Sequence, residues 1–134
     1  MDILESELQD VASTFSTIAI GYDTTQTGAI TVNDTGGLTS LNSGLTLRSE
    51  GSGGVVNLSS AIDLTSTAST NLSVEGASIN LDAGVSTDGG SISFTGPVEI
   101  NAAVTVDSES GGDSAAAVSY THHRAHATGR NDVC

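Results

Sequence analysis

The stretch Leu72-Ser-Val-Glu-Gly-Ala-Ser-Ile-Asn-Leu81 contains one small unit twice: an apolar residue, a small or polar one, and a second apolar one. Period-two alternation places the outer pair on one face of a short strand and the middle residue on the other. The same triplet recurs outward in both directions. It is found at Ile18-Ala-Ile20, Ile30-Thr-Val32, Leu45-Thr-Leu47, Val56-Asn-Leu58, Ile62-Asp-Leu64, Ile92-Ser-Phe94, Val98-Glu-Ile100 and Val104-Thr-Val106. Between the triplets lie turn-forming clusters such as Gly36-Gly37, Gly51-Ser-Gly-Gly54, Asp88-Gly-Gly90 and Gly111-Gly112.

Spacing separates a solenoid from a sandwich, because a solenoid must return to the same wall after every coil. Triplets starting at 18, 45, 72 and 98 lie 27, 27 and 26 residues apart, and those starting at 30, 56, 79 and 104 lie 26, 23 and 25 apart. Leu38, Ile62 and Val85 mark a third wall. The expected outward residues are Ala19, Thr46, Ser73 and Glu99 on the first wall, and Thr31, Asn57, Asn80 and Thr105 on the second. Pro97 falls just before Val98, at a strand start or corner where its missing donor is tolerated. One internal match, of 53–64 with 89–100, is offset by 36 residues and fits no single-coil period. The expected fold is all-β, a right-handed parallel β-helix (β-solenoid) of about four coils over residues 12–114.

Composition agrees with a thin core. Only 37% of residues are hydrophobic, against a usual figure of about 45–50%, and the aromatics are limited to Phe15, Phe94, Tyr22 and Tyr120. Sixteen acids face three bases, a formal charge of -13. Nucleic acids and anionic membranes both require a Lys/Arg footprint, so neither is an expected partner. No stretch is apolar for long enough to span a membrane.

The two ends differ from the body. At the start, Leu4, Leu8 and Val11 follow helical spacing among acids, so residues 1–11 read as a turn or short helix leading in. At the end, residues 115–134 read as a disordered or artefactual tail. From Val118 the chain carries Arg124, Arg130, all three histidines and the only cysteine, Cys134, and residues 118–134 resemble the translated read-through of a sequencing adapter. A metal site pairing His122 with His126 on a helical face is the competing reading. No carboxylate or second cysteine completes it.

The body resembles the β-strand repeats of filamentous-haemagglutinin-like bacterial surface proteins. Two stretches carry the likeness. Glu7-Leu-Gln-Asp-Val-Ala-Ser-Thr-Phe-Ser-Thr-Ile-Ala-Ile-Gly21, followed by Gly28-Ala-Ile-Thr-Val32, looks like the family's acidic-leucine lead-in and paired strands. Gly89-Gly-Ser-Ile-Ser-Phe-Thr-Gly-Pro-Val-Glu-Ile-Asn-Ala-Ala-Val-Thr-Val-Asp107 looks like its Gly-Gly repeat. The resemblance implies a fragment of a long exported adhesin or stalk, located outside the cell or on the bacterial surface. Its partners would be the rest of the parent polypeptide and glycans or proteins on a host or cell surface. The family's secretion signal and amino-terminal cap are not recognisable, so both ends of the solenoid are expected to be open.

Other chemistries find less in the sequence. Polysaccharide lyases and hydrolases on β-helices group acids with Arg or Lys, whereas Glu75, Glu99, Asp63 and Asp82 are scattered and Arg48 is the one base before the tail. Asp82, Asp88, Asp107 and Asp113 near glycine-rich turns suggest at most weak, incidental calcium binding, without the nonapeptide calcium repeat. Thr24, Thr25, Thr65 and Thr67 do not form the regular lattice of an ice-binding face, and the glycine clusters lack the Gly-Lys-Ser/Thr of a phosphate loop. No catalytic, cofactor-binding or metal-binding residue is therefore assigned, and no enzymatic activity is expected. The rival function is that of a carbohydrate-active β-helix enzyme. Far-ultraviolet circular dichroism should show a strong β signal, whereas a coil-like spectrum would mean that the low hydrophobic content leaves the body disordered.

Overall fold

The apolar ends of each triplet turn inward and the middle residue outward, because a pleated strand has only two faces and one must be buried. The computed structural model describes residues 5–12, 14–22, 24–39, 41–109 and 118–123. After helix α1 (Glu5–Ala12) come β1 (Thr17–Tyr22), β2 (Ala29–Val32), β3 (Gly44–Ser49), β4 (Val55–Leu58), β5 (Ile62–Leu64) and β6 (Leu72–Gly76). They are followed by β7 (Ser78–Leu81), β8 (Val85–Thr87), β9 (Ile92–Ile100), β10 (Val106–Asp107) and β11 (Val118–His123). Every strand pairing is parallel, as coils stacked in one direction require. The molecule is a parallel β-solenoid of about four coils, entered through a short helix.

Three walls enclose the core. The first stacks β1, β3, β6 and the front half of β9, the second β2, β4, β7 and the rear half of β9. The third runs from Leu38 through β5 and β8 to β10. Inward columns such as Leu45, Leu72 and Ile92, or Val56, Ile79 and Val98, are 5% exposed or less. Phe94 lies in the fourth coil of the first wall and is fully covered.

Two column assignments change. The fourth first-wall strand begins at Ile92, in register with Leu72, and Val98 stacks beneath Ile79 on the second wall. Val104 lies outside any strand, and Val106 stacks on Val85 in the third wall. The outward fourth members are therefore Ser93 and Glu99, not Glu99 and Thr105. A constant period misleads because coil length varies. First-wall triplets start at 18, 45, 72 and 92, so the third coil has 20 residues where the first two have 27, and β11 pairs with β9 a further 26 residues on. The loss occurs mainly at the corner between the first two walls, which takes nine residues in the first coil (21–29), eight in the second (48–55), four in the third (75–78) and three in the fourth (95–97).

The tightest corner depends on glycine. Gly96 has φ +124°, and a Cβ there would lie 2.0 Å from the Gly76 carbonyl oxygen of the coil before, so the chain turns through a space no side chain fits. The match at 36 residues also becomes intelligible. Residues 56–64 form second wall, corner and third wall, and residues 92–100 form first wall, corner and second wall, each corner taking three residues. The recurring unit is strand–corner–strand, used at different corners.

The start of the solenoid is partly covered. Leu8 of α1 is buried in the same cluster as Ile18, while Thr17 and Ala19, on the outer face of β1, are exposed. The helix therefore lies over the end of the core. Val11, the other described member of its helical spacing, is 46% exposed. At the far end, β11 adds in parallel to β9, Val118 opposite Ile92 and His123 opposite Val98, with a register shift between Tyr120 and His122. His122 thus lies in a strand, not in the helix that its pairing with His126 requires. His126, Asp113, Cys134 and the remainder of the tail lie outside the described residues.

Phe94→Ala should destabilise the protein by about 3–5 kcal/mol and Leu81→Ala by about 2–5 kcal/mol, since each opens a cavity in a closed core. Ser86→Ala, on the outer face of the third wall, should stay within about 0.5 kcal/mol. Urea unfolding followed by circular dichroism measures all three.

Candidate functional site

The outer faces are where a rigid solenoid can meet a ligand, because its interior is filled. On the third wall Asp63, Ser86 and Asp107 stand in register on β5, β8 and β10. Adjacent strands are about 4.8 Å apart, which places the two aspartates roughly 10 Å apart along the axis. With Thr39 above, and Ala61, Gly84 and Thr105 at the corner beside them, they line a shallow groove of about 340 Å³. The small residues at 61 and 84 leave the room.

Each aspartate is oriented by its own turn. Asp63 Oδ1 accepts the Thr65 amide at 2.9 Å, and Asp107 Oδ1 accepts the Glu109 amide at 2.9 Å. Such local bonds fix the carboxylate and end the strand. The groove therefore presents carboxylate and hydroxyl oxygens and includes no basic side chain. Such a set can accept hydrogen bonds from a polyol or attract a cation, but it offers nothing to pair with an anionic sugar.

Arg48 lies elsewhere, at the end of β3 on the first wall, in register with Glu75 of β6. Its Nε donates to Glu75 Oε2 at 2.6 Å and its Nη2 to Oε1 at 3.0 Å, a two-pronged pair clamping the second coil to the third. The Ser73 hydroxyl also donates to Oε1 at 3.0 Å. The hydrogen bond from the Arg48 guanidinium holds the Glu75 carboxyl below its ordinary pKa, against partial burial, which pushes it up; the Ser73 bond and the Arg48 charge lower it further.

Most of the other acids weighed in the sequence do not converge. Asp82 Oδ1 accepts the Asn101 side-chain amide at 3.0 Å one coil below, and Glu99 stands exposed on the second wall. Asp88 meets Glu109 through an isolated antiparallel bridge at the third corner. Among the described residues, no group of three or more His, Cys, Asp or Glu is gathered where a metal ion could be held.

The second wall carries a feature that the sequence reading passed over. Asn80 Nδ2 donates to Asn57 Oδ1 at 2.7 Å, and Asn57 Nδ2 donates to Thr31 Oγ1 at 3.1 Å. Stacked identical amides form such ladders whenever coils are in register. The signal was available: Asn57 and Asn80 are both triplet middles, 23 residues apart.

Because the Glu75 pKa is lowered on folding, its stabilisation is complete above the unfolded-state value of about 4.3 and is lost as pH falls through the lower folded-state value. Arg48 is 39% exposed, so the pair is worth about 0.5–1 kcal/mol after solvent screening. Glu75→Gln should therefore lower the melting temperature at neutral pH, and that difference should shrink as pH is lowered from about 5 to about 3.

No family model, no curated protein and no solved structure matches the chain.

Proposed function

We propose that this chain is a non-catalytic structural segment of a large exported bacterial surface protein, of the adhesin or stalk type. The observation that carries the reading is the column construction itself. Inward residues stack coil on coil, outward positions are small or polar, and the two-pronged Arg48–Glu75 pair joins neighbouring coils instead of facing a ligand. Such a unit serves to hold length and stiffness outside a cell. A net charge of -13 keeps neighbouring rods apart in solution.

The filamentous-haemagglutinin-like likeness of residues 7–32 and 89–107 supplies the setting, at the bacterial surface or outside it. No helix among the described residues is long and apolar enough to cross a membrane.

A second reading, a carbohydrate-active enzyme, is favoured by one observation. Asp63 and Asp107 line one groove, and a pair of carboxylates is the machinery that glycosidases use. It ranks second because only two charged side chains line that groove and both have an oxygen tied to a backbone amide.

Antibodies raised against the folded chain should label intact producing cells, and brief protease treatment of those cells should remove the signal. Labelling only after lysis would overturn the surface reading. Release of reducing ends from a polysaccharide panel, abolished by Asp63→Asn or Asp107→Asn, would instead establish the enzyme.

A further inference from the structure

The chain contains three Asn-x-Ser/Thr tripeptides, the acceptor signal for N-linked sugars: Asn33-Asp-Thr35, Asn57-Leu-Ser59 and Asn71-Leu-Ser73. The fold treats them differently.

Asn57 is a strand residue. Its backbone is paired on both sides, with Thr31 above and Asn80 below, and its side-chain amide is engaged at both ends, donating to Thr31 and accepting from Asn80. The middle residue, Leu58, is fully buried. Asn71 is exposed, but its Oδ1 accepts the Ser91 amide at 2.8 Å and its carbonyl accepts the Leu45 amide at 2.9 Å. Leu72 is 1% exposed and the Ser73 hydroxyl donates to Glu75. Neither tripeptide can be lifted into a transferase cleft without pulling a leucine from the core and breaking inter-coil bonds.

Asn33-Asp-Thr35 lies in the turn between β2 and Leu38, outside every strand. Asn33 and Thr35 are exposed, and neither side chain makes a hydrogen bond within the described structure. The turn is organised from its middle residue: Asp34 Oδ1 accepts the Gly36 amide at 3.1 Å and its carbonyl accepts the Gly37 amide at 3.0 Å. That leaves the asparagine amide and the threonine hydroxyl, the two groups that the signal requires, facing solvent on a projecting turn.

We infer that Asn33 is an acceptor for N-linked glycosylation and that the fold withholds Asn57 and Asn71. The donor is a sugar carried on a diphosphate. Asn33 Nδ2 bonds to the anomeric carbon, the bond from that carbon to the phosphate oxygen breaks with its electron pair on the leaving diphosphate, and the amide proton passes to a base of the transferase. Nothing is oxidised or reduced. The inference rests on the exported reading only for where a transferase is met; the acceptor geometry stands without it. A glycan at this turn would stand at the corner joining the second and third walls, beside the Thr39 end of the third-wall groove.

The full chain, folded and then urea-unfolded, is incubated with a purified transferase that reads Asn-x-Ser/Thr and its glycosyl diphosphate donor, and the products are read by intact mass and peptide mapping. The folded chain should gain one glycan, at Asn33, lost in Asn33→Gln and in Thr35→Ala and retained in Ser59→Ala and Ser73→Ala. The unfolded chain should gain further glycans at Asn57 or Asn71. A folded chain left bare, or modified at Asn57 or Asn71 with Asn33 empty, overturns the inference, and so does an unfolded chain modified nowhere. None of these outcomes bears on whether the protein is surface-exposed.

Discussion

The structure depends on register between coils. A strand of three or four residues cannot exist alone, and each holds its place because its backbone groups pair with the coil before and the coil after. Register then fixes everything that follows. It puts Leu on Leu and Ile on Val inside, places Arg48 against Glu75, and runs the Asn80–Asn57–Thr31 amides into one ladder outside. One slipped residue would turn the inward column of a strand to water.

That constraint explains how a sequence so poor in apolar residues folds. A three-walled tube needs only two inward positions per strand, and a neighbouring coil covers both. Phe94 marks how little room remains, one large ring filling the fourth coil of the first wall. At the corners, buried hydroxyls take the place of apolar groups. Thr70 Oγ1 donates to the Leu64 carbonyl at 2.7 Å and Thr87 Oγ1 to the Gly90 carbonyl at 2.7 Å, satisfying backbone groups that the strands cannot reach.

Strand identity was legible in the sequence because period-two alternation is local, and nine of the triplets, from Ile18 to Ile100, became strand segments. The assignment of strands to walls was legible only while the coil length held. Once Gly76 and Gly96 allowed the first corner to contract, counting by 26 or 27 placed Val98 and the Val104–Val106 triplet one wall too early. The helix over the first coil could be located but not docked, since Leu8 looks the same whether it caps a core or faces water. The third-wall groove was invisible for a different reason. Asp63 and Asp107 are 44 residues apart, and only the stacking of two unequal coils aligns them.

The contracting corner also shows which part of the column is free to vary. Between the first two walls it takes nine residues in the first coil and three in the fourth, while the strand registers on both sides of it stay unbroken. Residues can therefore be added or removed there without disturbing the inward columns, as surface connections generally allow. Coil size belongs to the corners and continuity to the strands, so each can change without the other.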